Sequence, residues 1–130
     1  SVQSGVVFGM GHGSIEAVLL VGIPMLGSTT FMLQSQMLVL SGIERICAMG
    51  IHICLSVLII IGVRKRAFRY CVYAILIHTL INFTSGSLAK TQSPVVVELV
   101  LALLTMALMA YTIQIIWGNR FDEKMDGFIR

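Results

Sequence analysis

Charged side chains are scarce in this chain. Lys, Arg, Asp and Glu make up 12% of its 130 residues, against about a quarter in an ordinary soluble domain. A soluble globule of this composition would lack the polar surface to cover itself. The 57% hydrophobic content and a mean hydropathy of +0.94 instead describe a chain whose solvent is lipid. The three cysteines, Cys47, Cys54 and Cys71, are odd in number and show no CxxC spacing, which argues against a disulfide framework or a zinc ribbon. No GxGxxG or P-loop pattern occurs. The formal charge of +3 comes from basic residues confined to short stretches between apolar runs, chiefly Arg64, Lys65, Arg66 and Arg69. That is the distribution of membrane anchors, and it argues against a nucleic-acid partner.

What is there is a succession of apolar runs. A span needs about 20 apolar residues, so the length allows one domain of four or five spans. The first run, from about Gly5 to Gly27, ends as a span near Pro24. Gly5, Gly9 and Gly13 line one of its faces every fourth residue, which lets another backbone approach closely. Ser28 to Gln36 reads as a connection. The second run, Met37 to Val63, measures roughly 40 Å as a helix against a hydrocarbon core of about 30 Å, so it must tilt or break near Ser41 and Gly42. The third span runs from Tyr70 to about Ser85. Pro94 opens the fourth at a position where proline is favoured, and Trp117 closes it as an interfacial anchor. The expected fold is therefore an all-α polytopic transmembrane bundle of about four spans, residues 1–130 forming one domain with a short charged, soluble tail over 118–130. A chain starting at Ser1, without an initiator Met, suggests a piece of a longer membrane protein.

Positive-inside counting places the 64–69 loop and the C-terminal tail, with Arg120, Lys124 and Arg130, in the cytoplasm. Depth then follows from 1.5 Å of rise per residue. His12 falls at roughly 10 Å, Glu16 and His52 at roughly 16 Å, His78 at roughly 12 Å and Asn82 at roughly 18 Å from the cytoplasmic end. Five polar groups from three spans thus converge near mid-bilayer. Spacing reinforces this, because residues four apart share a helix face. His12 and Glu16 are such a pair, His78 and Asn82 another, and Ser41, Arg45, His52 and Ser56 form a polar stripe on the second span. A lone intramembrane His or Asn commonly serves as helix–helix glue, but a carboxylate with three imidazoles at one depth is costly and marks function. Glu98, one turn inside span four, reads as interfacial.

A carboxylate in a low-dielectric cavity can act as a general base, so Glu16 could activate water. His52, His78 and the Asn82 amide can stabilise the oxyanion formed when water attacks a peptide carbonyl. The same His12, Glu16, His52 and His78 are also a plausible zinc set.

The run Gly9-Met10-Gly11-His12-Gly13-Ser14-Ile15-Glu16-Ala17, then Glu44-Arg45 with His52 seven residues beyond the Arg, then His78-Thr79-Leu80-Ile81-Asn82, resembles the YhfC family of intramembrane peptidases. That family looks like a distant branch of the CAAX-protease and bacteriocin-processing membrane proteases. The resemblance implies a glutamate-dependent protease acting on membrane proteins or peptides in a bacterial plasma membrane. Carried over, Glu16 activates water, His52 stands on the second core helix, and His78 with Asn82 polarises the carbonyl. His12, Glu44 and Arg45 are supporting residues, and Glu44-Arg45 is either a displaced acid–Arg pair or a structural ion pair. The chain departs from the wider clan at Ile15, where a second Glu would precede Glu16, at Leu20, where an Arg would follow, and at Ala48, where a Phe would stand. No HExxH zinc helix is present, so metal-free catalysis is the expectation and zinc the alternative. Two other classes remain: a proton- or metal-binding transporter, and a cytochrome with His52 and His78 as axial ligands.

Overall fold

The computed structural model describes residues 1–27 and 35–128, with side chains except at 35–37 and 119–128. Every regular element in these ranges is helical: α1 (Val2–Ala17), a π-helical turn (Val18–Gly22), α2 (Ile23–Gly27), α3 (Ser35–Arg64), α4 (Arg69–Leu88) and α5 (Pro94–Phe128). Four stretches are long and apolar enough to cross a membrane, Val2–Gly27, Leu38–Arg64, Arg69–Leu88 and Pro94–Gly118. The protein is an all-α, integral membrane helix bundle.

Local chemistry explains where each span departs from a plain α-helix. Pro24 has no N–H to offer the preceding turn, and the helix accommodates it by widening. The Ile23 N–H bonds the Val18 carbonyl, five residues back, so the first span continues through Pro24 to Gly27 instead of stopping there. At the second span, the break considered near Ser41 and Gly42 does not occur. α3 is unbroken for 30 residues, about 45 Å, so tilt must absorb its excess length. The expected connection falls largely outside the described residues, with helix resuming at Ser35. The expected tail from Gly118 is helical in backbone as far as Phe128.

The turn between α3 and α4 is a Schellman motif. The Ala67 N–H bonds the Gly62 carbonyl at 2.9 Å and the Arg66 N–H bonds that of Val63 at 3.1 Å. Arg66 takes the left-handed conformation this closure requires, with φ 51°. A Cβ on Gly62 would lie 2.4 Å from the Tyr70 Cβ, so this glycine sets how closely α4 folds back.

α3 is the hub, packing against α1, α5 and α4, and it supplies most of the buried core: Ile51, Cys54, Leu55, Val57, Leu58 and Ile61. The glycine face expected on the first span is the one it turns to α3. A Cβ on Gly5 would meet the Val57 Cα at 2.9 Å, one on Gly9 the Ile53 Cα at 2.5 Å, and one on Gly13 the Met49 Sδ at 3.1 Å. Rising numbers on α1 meet falling numbers on α3, so the two helices are antiparallel and in near backbone contact. α5 runs parallel to α3, where the Cys47 thiol meets Thr105 and the Cys54 thiol meets Thr112, seven residues further along both helices. The four spans therefore alternate in direction.

Candidate functional site

Close approach of α1 to α3 brings the polar residues of the two helices together. His12 and Glu16 lie one turn apart on α1, beside the glycine face. His52 faces them from α3, 5% exposed, next to the Gly13 contact. Its Nε2 lies 2.9 Å from Glu16 Oε2, and its ring stacks on that of His12 with centroids 4.6 Å apart and planes 22° from parallel. α4 contributes His78, whose ring is 5.0 Å from that of His52, and Asn82, whose Nδ2 donates to His78 Nε2 over 3.1 Å. The five residues expected to converge lie together in the fold.

Arg45 adds a sixth member. Its Nη1 lies 3.8 Å from Glu16 Oε1, while its Nη2 bonds Glu44. The Glu44-Arg45 pair is thus connected to the central carboxylate, although it lies nearer the end of α3. Gly5 lies against Val57, Gly9 against Ile53 and Gly13 against Met49, so Glu16 falls near the level of Arg45 itself, a register between helices that counting depth from each helix end does not give. Glu98, one turn inside the fourth span, has a carboxylate oxygen buried without a hydrogen-bond partner. Its charge interacts with those of Glu44 and Arg45. The available signal was its spacing of seven and fourteen residues from Thr105 and Thr112, both of which are buried.

The site opens to one side. A groove of about 770 Å³ is lined by Phe8, His12, Ile15, Glu16, Leu19 and Asn82, among others. Its lining is mostly apolar and includes His12 and Glu16 of α1 and Asn82 of α4, two helices that pack chiefly on α3 rather than on each other. The His52 and His78 rings adjoin each other with centroids 5.0 Å apart and leave no slot for a porphyrin between them, against the cytochrome reading.

Three of these side chains could hold a metal ion. His12, Glu16 and His52 each present one ligand atom, and the three atoms lie within 4.8 Å of one another. In tetrahedral coordination with bonds of about 2.0–2.1 Å, neighbouring ligand atoms sit about 3.3 Å apart. The observed separations exceed that spacing by at most about 1.5 Å, and two imidazoles with one carboxylate are a borderline donor set suited to zinc. The fourth candidate, His78, stands beside this trio with its Nε2 engaged by Asn82.

Comparison with known proteins identifies the family. The family described as YhfC intramembrane metalloprotease matches residues 24–105. The chain belongs to the YhfC family. The matched stretch includes Arg45, His52, His78 and Asn82, while His12 and Glu16 on α1 precede it. A relative from Bacillus subtilis (strain 168), the "Uncharacterized membrane protein YhfC", is 30% identical over 141 residues, covering 84% of this chain and 54% of the relative. The chain thus spans about half the length of the curated relative it matches. No solved structure matches it. The expectation of metal-free catalysis is not supported. The YhfC description names a metalloprotease, and the fold assembles a ligand trio from two helices, an arrangement that a search for a single HExxH helix does not test.

Proposed function

We propose that this chain carries the core of a metal-dependent intramembrane endopeptidase, with His12, Glu16 and His52 as zinc ligands and a membrane-embedded polypeptide as substrate. The observation that carries the reading is the trio itself, whose ligand atoms lie within 4.8 Å of one another on helices otherwise almost free of ionisable groups. A zinc ion bound there supplies Lewis acidity and a bound water that ionises near neutral pH.

The remaining work falls to the chain's own residues. The groove between α1 and α4 receives the substrate laterally, its apolar wall of Phe8, Ile15 and Leu19 replacing lipid around an unwound segment. The Asn82 amide spends one N–H on His78, and its second N–H is free to meet the carbonyl oxygen as negative charge builds there. With its Nε2 accepting from Asn82, His78 would carry its proton on Nδ1, from which it could protonate the departing amine and then recover the proton that the attacking water loses. Arg45 holds Glu16 from the side away from His52. The positive-inside count supports placing the 64–69 turn in the cytoplasm of a bacterial cell.

A second reading keeps Glu16 as a general base without a metal, favoured by its direct 2.9 Å contact with His52. The full-length protein, compared in its native host with a deletion strain and with Glu16→Gln, tests both by proteomics of accumulating membrane-protein precursors. Both readings expect the variant to accumulate the same precursors as the deletion. Stringent chelation of the purified enzyme then separates them: loss of cleavage restored by zinc supports the metal reading, and retained cleavage supports the base. Normal processing by well-folded Glu16→Gln contradicts both.

A further inference from the structure

The polar network does not end at Arg45. Its guanidinium bonds Glu44 through Nη2 and approaches Glu16 through Nη1, yet its Nε is buried without a hydrogen-bond partner. Across the α3–α5 seam, Glu98 Oε2 is buried in the same condition. An unused donor and an unused acceptor thus occupy one polar cluster inside a membrane span, where unsatisfied groups are costly. Glu98 interacts electrostatically with both Arg45 and Glu44, and Cys47, three residues beyond Glu44 on α3, interacts with both Glu98 and Glu44.

The register of the seam explains the juxtaposition. Cys47 meets Thr105 and Cys54 meets Thr112, so residues of α5 lie level with α3 residues numbered 58 lower. One heptad outward, this places Glu98 level with Leu40, one turn from Glu44 and Arg45. The arginine, leaning toward the start of its helix, extends toward that level. A planar guanidinium with five donors can serve several carboxylates at once, and here Glu16 comes from α1, Glu44 from α3 and Glu98 from α5.

We propose that Glu98 is a positioning residue for the Glu16 site. Its carboxylate attracts the Arg45 guanidinium that Glu44 binds and so limits how far Arg45 closes on Glu16, leaving Glu16 Oε2 turned to His52 and the trio open to a cation. Removing Glu98 releases Arg45 onto Glu16, where a fixed positive charge competes with a metal ion for the carboxylate. The proposal concerns the same site as the reading above and rests on it only for the metal-binding readout.

The test uses full-length protein in detergent. Zinc affinity, measured by competition with a chromophoric chelator, is compared for wild type, Glu98→Gln, Arg45→Gln and the double variant. Glu98→Gln is expected to weaken zinc binding about tenfold, the lower end for residues that orient a ligand. Glu98→Asp should recover part of the loss, and it keeps the test informative if Gln at 98 does not fold. In the Arg45→Gln background the Glu98 substitution should cost nothing further. Wild-type zinc affinity in Glu98→Gln, or the same loss with and without Arg45, overturns the proposal. Thermal unfolding of the metal-free proteins supplies the second readout. The melting shift from Glu98→Gln should change when Glu16 is replaced by Gln, whereas equal shifts in both backgrounds overturn the relay. A wild type that binds no zinc but shows this coupling defeats the metal reading while leaving the Glu98 proposal standing. The reverse pattern defeats only the proposal.

Discussion

The two long seams on α3 are both rich in small and polar residues, yet they use them differently. Along α1, glycines bring the backbones together, with Gly9 so close that a Cβ would fall 2.5 Å from the Ile53 Cα. The polar side chains there find partners on other helices: Glu16 with His52 and Arg45, His12 with His52. Along α5, Thr105 and Thr112 are equally buried, but each hydroxyl donates to the carbonyl four residues back on its own helix, Leu101 and Leu108, at 2.8 Å. A buried polar residue satisfied by its own helix is a packing element. One satisfied only by other helices depends on tertiary structure and points to a site.

Substitutions can break this contrast, and the largest effect is expected at the centre of the α1 seam. His52→Ala removes a proposed ligand and leaves Glu16 without its closest partner. It should lower cleavage by at least about 100-fold, as expected for loss of a ligand or of its alignment, with the fold retained by circular dichroism. Gly9→Ala comes next. The Ile53 backbone cannot give way without parting the helices, so a loss of about 2–3 kcal/mol in detergent unfolding is expected. Gly11→Ala on the same helix, where a Cβ meets nothing within 4 Å, should leave stability unchanged or slightly raised. The smallest effect belongs to the α5 seam. Thr112→Val replaces a hydroxyl bonded within its own helix and should cost under about 1 kcal/mol with cleavage unaltered. A large catalytic defect from Thr112→Val would erase the distinction between the seams.

Much of this contrast was legible in the sequence. Glycines every fourth residue announced the α1 face, and polar residues four apart announced which faces turn inward, because helical periodicity is a local property. Counting residues from the charged loop brought His12, Glu16, His52 and His78 to one depth, since rise per residue is nearly constant. The relations between helices were not legible. That Gly9 faces Ile53, or that Thr105 lies level with Cys47, depends on how two helices slide and rotate against each other, and no spacing within one helix encodes it. Depth alone likewise does not show that Glu98 lies across the seam from Glu44 and Arg45. For the same reason the sequence offered four zinc ligands and the fold gathers three, with His78 turned to its own neighbour Asn82.

The central claim is that His12, Glu16 and His52 form a metal centre with His78 beside it. The most direct measurement is the zinc content of the purified full-length protein after equilibration with zinc and removal of free ion, for wild type, His12→Ala, His52→Ala and His78→Ala. The account expects one zinc per chain in wild type and in His78→Ala, and its loss in the other two. A wild type that retains no zinc, or a His78→Ala protein that loses it while His12→Ala keeps it, would contradict the account.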